Sequence, residues 1–266
     1  MFINKNIEAE TLRKKADNNS EKNIPLSGIY KLTTNKISFE MLVINSDDTS
    51  ISSRFWNNKF TDYVLDKWCD WCEEEGIYLD VGAHTGMYTI ASLISNSKNR
   101  VVSIEPFPLN FYRIITNLRL NNFNNTKVKL LNVAASDNNK TVKFHIKTPW
   151  SYLSKGGKIS DEGVNIKAIK LDSLDFSNNN LDIKGIKIDT EGEDLNVVYG
   201  AKNIITKYKP KIIIECRRNN ILEIFNFLSN LGYKKIFDSD GNNIEDKKLL
   251  EFIDNQITKD LFFEIS

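Results

Sequence analysis

Apolar runs of strand length alternate along the chain with longer segments whose apolar positions recur at helical spacing, and their order defines the expected fold. From Ile77 the order is strand 77–81, helix 87–95, strand 101–105, helix 109–120 and strand 128–134, a βαβαβ unit. Two further β-rich runs, 141–146 and 164–171, flank a loop with Pro149, Trp150, Tyr152 and the Gly156-Gly157 pair, and interrupt the rhythm. It resumes with strand 183–188, helix 195–208, strand 211–216, helix 221–231 and strands 233–237 and 261–265. The pattern predicts an α/β fold with about seven strands in one doubly wound sheet, whose ligands lie outside the carboxyl ends of the strands at the switch point. Upstream, residues 28–44 give two β-rich runs around Thr34-Asn35, a hairpin or strand pair. Residues 60–75 set Tyr63, Val64, Trp68, Trp71 and Cys72 at helical spacing before Gly76 stops the helix. Residues 1–76 are therefore expected to be an N-terminal extension or cap and 77–266 the main domain. Residues 1–23 are polar without a period and receive no function.

Composition narrows the partners more than the fold. Lys+Arg 36 against Asp+Glu 35 leaves a net charge of +1, so no global field draws the chain to nucleic acid or an anionic membrane. A hydrophobic share of 41% over 266 residues supplies a sizeable core and excludes disorder as the main state. Cys69, Cys72 and Cys216 are odd in number and too few to staple the chain, which points to a reducing compartment. With no apolar run of signal-peptide length and none near the ~20 residues of a membrane span, the expectation is a soluble, cytoplasmic protein. The Cys69-Asp70-Trp71-Cys72 stretch lies in a helical pattern with no preceding strand and no second pair, so it reads as core packing rather than a redox or zinc motif. His145 alternates within a strand and reads as structural or exposed.

The segment YLDVGAHTGMYT, residues 78–89, runs from a strand carrying Asp80 through a turn with Gly82 and Gly86 into a helix. Two glycines four apart allow a tight turn and leave a floor without side chains on which a flat ligand can lie. The next strand ends in Glu105, 19 residues after Gly86, where a carboxylate can accept hydrogen bonds from both ribose hydroxyls. An adenosine-containing ligand is implied. The spacing D-x-G-x-x-x-G departs from the three-glycine fingerprint of dinucleotide binders and is closer to that of S-adenosylmethionine enzymes. Asp80 is also compatible with a helix-capping or loop-pinning role, and His84 with a hydrogen bond inside the turn.

The segments LDVGAHTGMYT, SIEPFPLNFYRIITNLRLNN, LNVAASD and IKIDTEGEDLNVVYGAKNIITKYKPKIIIE resemble, in order and spacing, the FkbM family of S-adenosylmethionine-dependent methyltransferases, over about residues 40–265. The most specific stretches are Glu105-Pro106-Phe107-Pro108-Leu109-Asn110 and Lys187-Ile188-Asp189-Thr190-Glu191-Gly192. The resemblance implies a Rossmann-like, seven-stranded sheet with an antiparallel last strand, S-adenosyl-L-methionine as cofactor, and O-methylation of a small molecule, with a sugar or glycan intermediate as the leading acceptor. It also implies that Ser136 and Asp137, after the third strand, read the adenine edge; the alternative is an Asx turn closing the Asp137-Asn138-Asn139 loop. Where the family usually carries Glu, this chain has Asp194, which keeps the charge and shortens the reach.

Asp189, Glu191 and Glu215 fall at adjacent strand ends. Mutual repulsion and partial burial there can raise a pKa towards that of a useful base, and clustered carboxylates can alternatively hold a divalent cation. Glu191 can instead serve a helix N-terminus, and Glu215 can pair with Arg217 or Arg218. Trp150 and Tyr152 belong to the loop expected to overhang the strand ends, where they stack on a sugar ring or cover a core edge. Two other functions compete: a non-catalytic module that binds S-adenosylmethionine, and NAD-dependent redox chemistry, which the missing third glycine disfavours.

Overall fold

The computed structural model describes residues 27–43, 63–123, 126–146, 157–177, 180–217, 219–244 and 258–265. Trp150, Tyr152, Arg218 and residues 1–23 lie outside them. Strand β1 (Gly28–Thr33) and β2 (Ser38–Val43) form an antiparallel hairpin, followed by helix α1 (Tyr63–Trp71). The βα series then begins with β3 (Ile77–Val81), α2 (Met87–Ser95), β4 (Arg100–Ile104), α3 (Pro108–Leu120) and β5 (Val128–Leu131). Strands β6 (Ala134–Ala135), β7 (Lys140–Ile146), β8 (Gly157–Ser160) and β9 (Val164–Ile169) come next. The chain returns with β10 (Ile183–Ile188), α4 (Asp194–Gly200), α5 (Lys202–Tyr208), β11 (Lys211–Arg217), α6 (Ile221–Asn230), β12 (Tyr233–Phe237) and β13 (Thr258–Ile265).

The main sheet has seven strands in the order β12-β13-β11-β10-β3-β4-β5, parallel from β11 to β5, with β13 antiparallel to both its neighbours. From β3 the chain winds outward through β4 and β5, then restarts at β10 on the other side of β3. That reversal opens a crevice beyond Val81 and Ile188, the place where α/β sheets bind ligands. Strand β3 is buried at every position, as a central parallel strand covered on both faces must be. Its side chains alternate between two cores. Ile77, Leu79 and Val81 join Val197, Ile205 and Ile224 of α4, α5 and α6. Tyr78 joins Trp68 of α1, Ile90 of α2, Ile114 of α3 and the hairpin residues Tyr30, Leu32, Phe39 and Met41.

Two expected elements are divided, each by a contact with a residue distant in sequence. The strand expected over 128–134 stops at Leu131, because Asn132 turns the chain by donating to the Glu105 and Pro106 carbonyls at 2.8 and 3.0 Å. Ala134 and Ala135 then enter a second sheet, β6-β9-β7-β8, which holds the two runs that break the βα rhythm. The helix expected over 195–208 is two helices joined at Ala201. The first presses on β6 through Gly200, where a Cβ would collide with the Ser136 carbonyl. The second has its own N-terminal cap from Asp172, whose carboxylate accepts from Asn203 and Ile204 N–H at 2.9 Å each. Among the described residues no helix is long and apolar enough to cross a membrane.

Candidate functional site

A cavity of about 490 Å³ opens at the crevice, walled by the β3–α2 turn, the ends of β4, β10 and β11, and an edge of the second sheet. Its floor is backbone. Gly82 and Ala83 N–H both donate to the Ile104 carbonyl at 2.9 and 3.0 Å, and Asp189 N–H donates to the Val81 carbonyl at 2.9 Å, so the turn is fastened to both neighbouring strands. Gly82 has φ +80°, and a Cβ there would collide with the Asp189 carbonyl oxygen; only glycine lets β3 and β10 end this close together. Gly86, at φ +89°, starts α2, and a Cβ on it would meet Ile114 of α3 at 3.1 Å.

Glu105 closes one end of this floor. It is 5% exposed, and both carboxylate oxygens accept backbone N–H groups, Oε2 from His84 at 2.8 Å and Oε1 from Phe107 at 2.9 Å. Burial pushes its pKa up to about 7, against the opposing pull of His84 and these two N–H donors. His84 belongs to the cavity wall and sits at φ +50°, an uncommon conformation for a side chain with a Cβ, held by that bond to Glu105. Each carboxylate oxygen keeps a second lone pair, so the fixed Glu105 can still accept from a ligand hydroxyl.

Asp80 lies under the floor, outside the cavity wall. It is fully buried; its Oδ2 accepts from the Thr89 hydroxyl at 2.6 Å, which lies 3.0 Å from Ser103 Oγ, and this tie joins β3, α2 and β4. Burial raises its pKa, and its Oδ1 has no hydrogen-bond partner among the described residues. Ser136 and Asp137 are likewise set back: Ala134 and Ala135 form the wall there. The Ser136 hydroxyl lies 3.1 Å from both Asp137 Oδ1 and Glu193 Oε2, while Lys140 binds Asp137 at 3.0 Å and holds its carboxyl below the usual range.

Across the cavity stand the carboxylates expected at the strand ends. Parallel register sets Ile188 level with Ile214, so Asp189 and Glu215 emerge side by side, and antiparallel pairing of Glu215 with Asp260 of β13 adds a further carboxylate to the wall. Asp189 accepts from Lys187 Nζ at 2.9 Å. Lys187 lies 3% exposed in the same wall, its ammonium 4.5 Å from the centre of the Tyr88 ring. Burial works to neutralise it, but Asp189, Tyr88, Asp260 and Asp80 together outweigh that and hold its pKa above the ordinary lysine value. Arg217 reaches Glu191 Oε2 at 3.1 Å and Glu215 Oε2 at 3.7 Å. Glu191 takes φ +54° to present its carboxylate there. Burial, then Asp189, Asp194 and Glu191, push the Glu215 pKa up to about 8 despite Arg217, and its Oε2 is buried without a hydrogen bond.

Asp194 turns inward instead of facing the cavity. Its Oδ1 accepts from Thr190 N–H and hydroxyl, and its Oδ2 from Gly192 N–H, at 2.8 to 3.2 Å, so the shorter acid fixes the turn that carries Glu191. Among the described residues no group of three His, Cys, Asp or Glu side chains is placed to hold a metal ion. Cys69, Cys72 and Cys216 are free and buried, and His145 on β7 is not part of the cavity wall. Reading from sequence passed over Lys187, Asp260, Tyr88 and Asn110. Lys187 was within reach, because strand alternation puts it on the face of Asp189, whereas Asp260 comes to the wall only through the pairing of β13.

The cavity suits S-adenosylmethionine: a backbone floor that any side chain would fill, a fixed carboxylate beside it, and acids opposite that complement a sulfonium charge. No curated protein is significantly similar in sequence. In fold the chain is similar to the methyltransferase FkbM from Methylobacillus flagellatus KT, with TM-score 0.50 and 18% identity over 81% of this chain and 55% of that one. The chain thus spans little over half of that protein. It is also similar to a precorrin-6y C5,15-methyltransferase from Geobacter metallireducens GS-15, with TM-score 0.44 and 12% identity over 76% and 88% of the two chains. A ribosomal protein L11 methylase from Lactobacillus delbrueckii subsp. bulgaricus gives TM-score 0.45 and 10% identity over 76% and 79%. The family model described as the methyltransferase FkbM domain matches residues 80–235, more than half of the sequence, and the chain therefore belongs to the FkbM family of S-adenosylmethionine-dependent methyltransferases.

Proposed function

We propose that the chain methylates a hydroxyl of a small molecule, with a sugar or glycan intermediate as the acceptor. The observation that carries this reading is the Lys187–Asp189 pair in the cavity wall, at the strand end that abuts Gly82. When bound, S-adenosylmethionine supplies an electrophilic methyl group on a sulfonium. Glu105 accepts from the ribose, the turn from Gly82 to Gly86, with His84, lies beneath the ligand, and Asp80 braces that turn from below. Ser136 and Asp137 take part only by fixing the end of β6. Transfer to a hydroxyl releases a proton, and we assign to the Asp189 carboxylate the tasks of orienting the hydroxyl and taking it, with Lys187 holding that carboxylate in one position. Glu191 and Glu215, bridged by Arg217, offer acceptors to further hydroxyls of a polyol.

An acidic wall and a net charge of +1 favour a neutral polyol over nucleic acid. Buried free cysteines favour a reducing, cytoplasmic setting, and residues 1–76 serve as an extension to a methyltransferase domain over 77–266. A divalent cation is the alternative that clustered strand-end carboxylates suggest, although no three described acids are placed to hold one. The experiment is a mass-spectrometric screen of sugars, glycan fragments, amines and short RNAs for gain of one methyl group, with and without chelator. Methylated sugars are expected; a chelator that abolishes the product identifies the metal version, and product from amines or RNA alone contradicts the reading.

A further inference from the structure

Helix α3 carries two asparagines on the face it turns to the glycine-rich floor, both 0% exposed. Asn117 is fully satisfied: its Oδ1 accepts from Leu42 N–H at 2.8 Å and its Nδ2 donates to the Thr85 carbonyl at 2.9 Å. Asn110, about two helical turns nearer the N-terminus, belongs to the cavity wall, and neither its Oδ1 nor its Nδ2 has a hydrogen-bond partner among the described residues. Ile114, between them, packs on Gly86, so the stripe 110-114-117 lies along the floor with Asn110 at its cavity end. Leaving a buried amide unpaired costs most of its desolvation penalty, and native proteins keep few of them.

We infer that Asn110 is a ligand-reading residue whose carboxamide pairs with a ribose hydroxyl of the bound cofactor, beside Glu105. A carboxylate only accepts, whereas a ribose hydroxyl both donates and accepts. The Asn110 Nδ2 supplies the donor that Glu105 lacks, and its Oδ1 a second acceptor. The apolar part of the wall, with Ala134, Ala135, Phe144 and Ile159, suits the faces of the base and lies on other elements. Pairing with the cofactor is therefore assigned to the bound state.

The inference rests on the cofactor reading of the cavity, and its test separates the two. Asn110→Leu keeps size and removes both polar atoms. Calorimetry with S-adenosylhomocysteine should show affinity about ten- to a hundredfold weaker than wild type. Thermal unfolding of the ligand-free variant should show a melting temperature close to wild type, since no described protein group pairs with the amide. Wild-type protein should bind 2′-deoxy or 3′-deoxy S-adenosylhomocysteine more weakly than the parent, and the variant should lose the share of that discrimination that Asn110 supplies while keeping the share that Glu105 supplies. Should Asn110→Leu fail to fold, Asn110→Ser and the wild-type analogue series make the same comparison. Unchanged affinity in a folded variant overturns the inference, as does a variant that senses the ribose hydroxyls as wild type does. A wild type that does not bind S-adenosylhomocysteine at all contradicts the cofactor reading instead.

Discussion

One half of the cavity is built from backbone and the other from charge. Around Gly82 and Gly86 the wall is a turn fastened by main-chain hydrogen bonds, with Glu105 locked by two more. Around Asp189 it is a set of side chains held by opposite charge, Lys187 against Asp189 and Arg217 against Glu191 and Glu215. A backbone floor presents one shape and suits a ligand that never changes. A charged wall can be re-aimed by single substitutions, and under the proposed function it is the half that meets the acceptor. The halves meet where Gly82 lies against the Asp189 carbonyl, beside the Asp189 N–H bond to the Val81 carbonyl, and where Lys187 stands over the Tyr88 ring.

The largest effect is expected at the Gly82 junction. Gly82→Ala is expected to abolish cofactor binding and to lower the melting temperature sharply, because the added Cβ meets backbone on a strand that cannot yield and φ +80° is itself strained. Gly86→Ala, against the side chain of Ile114, should cost much less by the same two measurements. Next in size, Asp189→Asn should lower turnover by about 10² or more with the acceptor that the methyl-transfer screen identifies while leaving S-adenosylhomocysteine affinity nearly unchanged, since the loss falls on the charged half.

Glu105→Gln should weaken S-adenosylhomocysteine about ten- to a hundredfold by calorimetry. In the wild type, burial holds Glu105 protonated up to about pH 7 in the ligand-free protein, and ribose hydroxyls pair best with the ionised form. Affinity should therefore rise as pH increases through 7, and the Gln variant should lose that dependence. The smallest effect is expected at Glu215. Its folded-state pKa of about 8 exceeds the ordinary 4.5, so the folded chain binds the extra proton between these values and stability from this group falls as pH rises across that window. Glu215→Gln should flatten that part of the melting temperature profile.

The same contrast sets how much of the site is legible in the chain. The glycine turn and Glu105 follow from local spacing, because a strand, a turn and a helix start are encoded within a few residues. Asp189, Glu191 and Glu215 follow from strand ends. Ion pairing follows in part: the Glu215–Arg217 pair lies within local spacing, whereas the Arg217–Glu191 contact depends on β10 lying beside β11, and Asp260 reaches the wall by pairing with Glu215, 45 residues earlier in sequence. Ser136 and Asp137 sit at the expected strand end but face Glu193 and Lys140, since the Asn132 turn carries the chain into the second sheet. The break at Ala201 depends on a cap from Asp172, about thirty residues earlier, which no helical periodicity records.

The most direct test of a backbone-built cofactor half that is independent of the charged half is calorimetric titration of S-adenosylhomocysteine into wild type, Asp189→Asn and Glu105→Ala, with NAD as competitor. Wild type and Asp189→Asn should bind with the same affinity, Glu105→Ala about ten- to a hundredfold more weakly, and NAD should not compete. Absence of binding to the wild type, displacement by NAD, or equal losses in the two variants would contradict the account.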